Sequence, residues 1–303
     1  MYYLTDYSEN LIKNLIWITG PARSGTTILG KVISSTKNTE YFLEPELLFS
    51  LLPMIKKINF AEWNLIYRTY ISEELLLNSV IGRKLNFRIS DDSYINNSFT
   101  KKEIDYKLNN KLSSSTLKKF LTKNKTKIII KIPDLVEDLL TIKKKFKKNK
   151  FISTDRNSFD ILNSLIKKNW FDQKNIKNNN FPLKVLKGFM YPFWLPDDYL
   201  QKWKSYNSEE RSALYIILMK KKIKKLNPHF IVHYDDLLKD PEKTVLSLCD
   251  KLNLNLTKKT KTIIDTIDKK NLYKKKTNTK YNIRKELINT LKIMDEKLLT
   301  RMS

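Results

Sequence analysis

Gly20 and Gly25 bracket a short loop, "ITGPARSGTTILG" (residues 18–30), with the outline of a phosphate cradle. In the loop G-x-x-x-x-G-K-[ST], backbone N–H groups surround phosphate oxygens. A lysine reaches the terminal phosphates, and the following hydroxyl holds Mg²⁺. Here both glycines are in place and Thr27 supplies the hydroxyl, but Thr26 stands where the lysine should be. The loop's cation is instead Arg23, two residues before the second glycine. What remains is anion binding by the backbone N–H groups of Ser24, Gly25, Thr26 and Thr27 at a helix N-terminus. Glycine lets the main chain approach the anion closely. The chain has only 5 glycines, so a pair of them within one loop stands out.

Such a loop needs a strand before it and a helix after it. "NLIWITG" (14–20) is a short apolar run ending in glycine, and "TTILGKVISST" carries apolar residues at helical spacing. "EYFLEPE" (40–46) reads as a brief strand broken by Pro45. "KTKIIIKIPD" (125–134) is a second buried strand stopped at Pro133, and "KFISTDR" (150–156) a third. "PHFIVHYDDLL" is a fourth, running into the helix "DPEKTVLSLCDKLNL". Helical patterns separate these runs. Buried strands alternating with helices predict a parallel, doubly wound α/β sheet. The expectation is a P-loop-like three-layer fold: a central parallel sheet flanked by helices, in one domain over 1–303. A helical insertion is expected at about 50–120 and a basic tail at about 258–303.

"PARSGTT" resembles the 5′-phosphosulfate loop of sulfotransferases that use 3′-phosphoadenosine 5′-phosphosulfate (PAPS). In that family an Arg ends a central strand and a Ser follows eight residues later, the pair gripping the 3′-phosphate. "STDRNSFDILNS" offers Arg156 and Ser164 at that spacing. Two turns into a helix, Ser164 would lie on the side of the loop. "IIIKIPD" is similar to the family's middle strand, where a Lys-x-Pro places Lys131 near the sulfuryl group. "HYDDLLKDPEKTVLSLCDKLNL" is similar to its C-terminal strand–helix segment, in which Asp235 and Asp236 would cap or support. The resemblance fades in the insertion and after residue 257.

Sulfuryl transfer needs a base for the acceptor hydroxyl. Many cytosolic sulfotransferases use a histidine in the first half of the chain, but here the histidines are His229 and His233. In the carbohydrate and tyrosylprotein branches the base is a Glu on a short strand after the loop helix. "EYFLEPELLF" resembles that strand, with Glu44 seventeen residues past Thr27 and Glu46 the alternative. The resemblance then implies that Glu44 accepts the proton while Arg23 and Lys131 stabilise charge on the sulfuryl and bridging oxygens. It implies PAPS as donor, a hydroxyl acceptor such as a glycan, and no metal. A tail cation, Lys276 or Arg284, would close on the 3′-phosphate.

Two other readings stay open. A small-molecule or nucleotide kinase with a degenerate loop would need an acidic Mg²⁺ partner, such as Asp134 or Asp235. The formal net charge of +26 would suit a nucleic-acid binder. However, Lys and Asn are scattered from end to end, as an AT-rich coding sequence would give, and no nucleic-acid-binding motif accompanies them. Cys249 excludes an intrachain disulfide and fits an apolar helix face. No apolar run approaches the ~20 residues of a membrane span, and the first residues lack the marks of a signal peptide, so a cytoplasmic protein is expected. "NWFDQKNIKNNNFPLKVLKGFMYPFWLPDDY" would help shape the acceptor pocket, with Trp170, Phe189, Tyr191 and Trp194 read as core rather than sugar-stacking residues.

Overall fold

The computed structural model describes residues 6–109, 111, 113–179, 181–267 and 280–299. Five parallel strands make the central sheet in the order β2-β3-β1-β4-β7. They are β1 (Ile16–Thr19), β2 (Thr39–Leu43), β3 (Lys127–Lys131), β4 (Lys150–Asp155) and β7 (Phe230–His233). β1 lies between β3 and β4, with Ile18 opposite both Lys131 and Ile152. The loop that runs from Gly20 to Gly25 leaves its C-terminal end. In parallel sheets of this kind the crevice beyond the strand ends takes ligands.

Alternation along the strands builds two cores. Trp17, Ile128, Ile130 and Phe151 point to one side, where the helices Val136–Lys145, Ser158–Lys167 and Ser208–Leu226 pack. Ile16, Ile18, Ile129 and Ile152 point to the other, against the helices Thr26–Ser34 and Pro241–Leu252. The three expected layers are present. Cys249 is buried in the second core, and burial pushes its thiol up to about 11, as expected of an apolar filler.

The segment expected as an insertion is helical, with Phe60–Thr69 running directly into a wider π-type turn at Tyr70–Leu77. It is no separate appendage, because Trp63, Tyr67 and Leu76 are fully buried in the first core. Two elements escaped the pattern. β5 (Leu183–Leu186) and β6 (Phe189–Pro192) form an antiparallel hairpin outside the main sheet. Ser208–Leu226, the longest described helix, is buried along most of its first three turns, so its pattern has no clear polar face. Its start is marked by a capping box, with Asn207 and Glu210 satisfying each other's backbone N–H groups. No described helix is long and apolar enough to cross a membrane.

Candidate active site

The loop is held from below and packed from one side. Ser24 is fully buried, and its hydroxyl bonds the Pro21 carbonyl and Thr154 Oγ1, each at 2.6 Å. Its N–H also donates to Pro21 O at 3.2 Å. Ser24 therefore shapes the loop, and its N–H already has an acceptor, unlike the free donor expected. The helical ladder begins with Leu29 N–H donating to Gly25 O, so the N–H groups of Gly25, Thr26 and Thr27 lie ahead of it. Gly25 has φ 98°, and a Cβ there would sit 2.4 Å from the ring of Tyr234. Only glycine combines that backbone conformation with that approach.

Arg23, Arg156 and Ser164 converge on this loop from three elements. Arg23 Nε donates to Ser164 Oγ at 3.0 Å. The Arg156 guanidinium donates to the Arg23 carbonyl at 3.2 Å and lies over the Tyr234 ring, 4.5 Å from its centre. Arg156 Nε is buried and makes no hydrogen bond within the described residues. A cavity of about 400 Å³ opens here, lined by the loop together with Lys31, Arg156 and Tyr234. Ser164 reaches it through Arg23 and is not itself part of the lining. Lys31, Tyr234 and Asp92 are additions that the sequence reading missed. Lys31 had a signal, being one helical turn beyond Thr27.

Glu44 and Lys131 meet at the ends of β2 and β3. The Glu44 N–H donates to the Lys131 carbonyl at 2.8 Å, and Lys131 Nζ closes an ion pair with the Glu44 carboxylate. Lys131 is 5% exposed, whereas the Glu44 side chain is partly open to a second cavity of about 670 Å³. The two cavities share Arg23, Thr26, Thr27 and Asp92, so they adjoin at the loop, one on each part of a common groove wall. Glu46 also faces the larger cavity, from the first turn of the helix Glu46–Met54. So does Trp170, while Tyr191 and Trp194 are core, each 5% exposed.

Asp134 completes the larger cavity through a buried relay. The Ala22 N–H donates to Tyr215 Oη and Tyr215 O–H donates to the Asp134 carboxylate, both at 2.6 Å. Burial pushes the Asp134 carboxyl up to about 6, against the opposing pull of the Tyr215 hydrogen bond. Nearby Glu44 pushes the same way as burial. Arg23, Glu44 and Asp134 all have positive φ, at 68°, 50° and 64°. Left-handed backbone is costly for side chains such as Arg and Glu, and it persists where the surroundings over-determine it.

The remaining candidates lie elsewhere. His233 is half-buried, with Nδ1 3.6 Å from Asp155 Oδ2; that contact raises its pKa, and it lines neither cavity of the groove. Arg284 is turned to Glu210 at 3.1 Å and to the Tyr206 ring, away from the smaller cavity. Lys276 lies outside the described residues.

The profile of the sulfotransferase family matches residues 16–258. Among solved structures, the sulfotransferase domain from the curacin biosynthetic pathway is similar at 14% identity and a TM-score of 0.50, covering 93% of this chain and 97% of that one. A sulfotransferase domain from a Synechococcus olefin synthase matches at 13% identity and a TM-score of 0.45, covering 93% and 94%. A sulfotransferase from Mycobacterium avium matches at 11% and 0.44, covering 96% and 77%. Curated proteins give no match. With a family profile that spans all five strands of the parallel sheet, this chain belongs to the sulfotransferase family.

Proposed function

We propose that the chain transfers a sulfuryl group from PAPS to a hydroxyl acceptor, a carbohydrate or another small or polymeric alcohol, with Glu44 as general base. The observation that carries this reading is the pair of adjoining cavities. A cationic, amide-rich one at Arg23, Lys31 and Arg156 borders one that Glu44 and Lys131 line.

The residues fit the donor. Arg156 Nε is a buried donor with no hydrogen-bond partner among the described residues, and the helix-opening amides are unspent. The N–H groups of Gly25, Thr26 and Thr27 would hold the 5′-phosphate. Arg156 would hold the 3′-phosphate, with Lys31 adding charge, and Ser164 would join it only on giving up its bond to Arg23. When bound, PAPS supplies an activated sulfuryl group. Glu44 orients the acceptor hydroxyl and takes its proton, which requires hydrogen-bond reach of that oxygen. Lys131, buried and held against Glu44, and Arg23, held against Ser164, are preorganised cations for the charge that develops between them.

The test is a melting-temperature comparison of 3′-phosphoadenosine 5′-phosphate without metal against ATP with Mg²⁺. At a hundredfold excess over Kd the first should add ~2.7 kcal/mol of stability. A shift with ATP–Mg²⁺ alone would favour a kinase and overturn the reading.

A further inference from the structure

We propose that Tyr215 and Asp134 are positioning residues of the donor site, a latch that holds the loop so that its helix-opening amides and Arg23 face the donor. The proposal rests on the sulfuryl-transfer reading and adds to it the part of the fold that sets the loop. The loop's amides divide into two groups. Pro21 has no N–H, and those of Ala22 and Ser24 are spent on Tyr215 Oη at 2.6 Å and Pro21 O at 3.2 Å. Those of Gly25, Thr26 and Thr27 stand ahead of the helical ladder and are the ones left for an anion. The first group therefore holds shape, and the second binds.

Arg23 is where shape has to be held. Its φ of 68° is unfavourable for a residue with a Cβ, so its neighbours must fix it. On one side Ser24 is tied to Thr154 of β4 at 2.6 Å. The Arg23 carbonyl itself accepts from Arg156 at 3.2 Å. On the other side Ala22 is tied to Tyr215, from the helix Ser208–Leu226. The turn at Arg23 is thus clamped from both ends, by two different layers of the fold.

Asp134 makes Tyr215 a dependable acceptor. A phenol has one proton, and with its oxygen accepting from Ala22 that proton needs an acceptor elsewhere. Asp134 supplies it at 2.6 Å. A charged acceptor gives the stronger bond, and hydrogen bonds in series strengthen one another. Asp134 lies just beyond Lys131, the last residue of β3. The latch therefore fixes the loop that carries Arg23 against the strand end that carries Lys131, the two cations assigned to the sulfuryl group. The Tyr215 ring does not need its hydroxyl to stay in place. It is fully buried, with the rings of Phe171 and Trp194 at 5.0 and 4.9 Å.

The experiment compares two nucleotides on the full chain. Calorimetry follows 3′-phosphoadenosine 5′-phosphate, and competition against it follows adenosine 3′-phosphate, which lacks the 5′-phosphate. Tyr215→Phe keeps the ring and removes the latch. Asp134→Gly removes the carboxylate at a φ of 64° that glycine adopts freely, and Asp134→Asn leaves an oxygen to accept from Tyr215. Tyr215→Phe and Asp134→Gly should each weaken the bisphosphate about 10-fold, as expected when about one loop in ten keeps the binding conformation. Asp134→Asn, with a neutral acceptor in place of a charged one, should cost about 3-fold. Adenosine 3′-phosphate should stay within about 2-fold in all three, because only the 5′-phosphate reads the loop; a general loosening of the fold would weaken both nucleotides. Unchanged bisphosphate binding in Tyr215→Phe, equal losses of the two nucleotides, or Asp134→Asn as weak as Asp134→Gly would each overturn the proposal. If Tyr215→Phe does not fold, the two Asp134 variants decide. A wild-type chain that fails to bind the bisphosphate sinks the sulfuryl-transfer reading first. Wild-type binding with variants that lose no selectivity for the 5′-phosphate removes only the latch.

Discussion

Asp134→Asn should make the protein more stable at neutral pH, and the reason lies in the relay beneath the groove. The Asp134 carboxyl is pushed from an ordinary 3.8 up to about 6, chiefly by burial. The folded chain therefore holds that proton more tightly than the unfolded chain does. Its contribution to stability is full below 3.8 and is lost as pH rises through about 6. At ~1.4 kcal/mol per tenfold change in proton affinity, the ionised carboxylate costs about 3 kcal/mol above pH 7. Discounted for the face that lines the cavity, about 2 kcal/mol remains. Asparagine does not titrate, can still accept from Tyr215, and tolerates the residue's φ of 64°. Urea unfolding of both proteins from pH 4.5 to 8 gives the answer. The variant should gain little at the acid end and about 2 kcal/mol at pH 8. A variant less stable than wild type at pH 8, or a difference that ignores pH, would refute the reasoning. A gain would also mean that the natural chain keeps a costly charge on the groove, as expected of a residue retained for use rather than for folding.

Arg156→Ala should weaken 3′-phosphoadenosine 5′-phosphate by about 1.5–3 kcal/mol, measured by titration, and erode the preference for a 3′-phosphate over a 3′-hydroxyl. An unchanged preference would move that subsite elsewhere. Glu44→Gln should lower the rate of radiolabelled sulfate transfer by ~10²–10⁴ with nucleotide affinity nearly unchanged, while Glu46→Gln keeps near-normal turnover. Retained turnover in Glu44→Gln would remove Glu44 as the base. Gly25→Ala would set a Cβ 2.4 Å from the Tyr234 ring at φ 98°. Backbone strain alone costs at least ~1–2 kcal/mol, so both the melting temperature and nucleotide affinity should drop. An alanine variant that binds normally would show the loop to be more forgiving than its packing implies.

The parts of the site that are local in sequence were readable there. Gly20, Arg23 and Gly25 sit within one loop, and Arg156 with Ser164 spans a strand end and two helical turns. The sheet was legible for the same reason: each strand is a short apolar run closed by glycine, proline or a charged residue. The relay from Ala22 through Tyr215 to Asp134 was not, because its members are separated by 193 and 81 residues and meet only once the helices pack. Tyr215 lies in a helix so widely buried that its pattern offers no stripe to orient it. Asp92 sits in an irregular stretch between helices, where no periodicity says which way a side chain faces. The Glu44–Lys131 pair was half legible. Both residues were picked out, but parallel pairing of β2 with β3, which puts Leu43 opposite Lys131, is what brings them together.

The C-terminal helix Lys285–Leu299 falls beyond the stretch that matches the family profile, yet it reaches the groove's foundations. Its Asp295 accepts from the Ser158 N–H at 2.9 Å and the Ser158 hydroxyl at 2.6 Å, and it pairs with Lys220 at 2.9 Å. Lys220 in turn holds the Arg156 carbonyl at 3.0 Å. A late acidic side chain thus caps the helix that follows Arg156 and braces that arginine's own backbone. Trimming the chain to the family's shared extent, residues 16–258, would cut away a keystone while leaving every motif intact. Such a fragment would keep the matched stretch and lose the brace beneath Arg156.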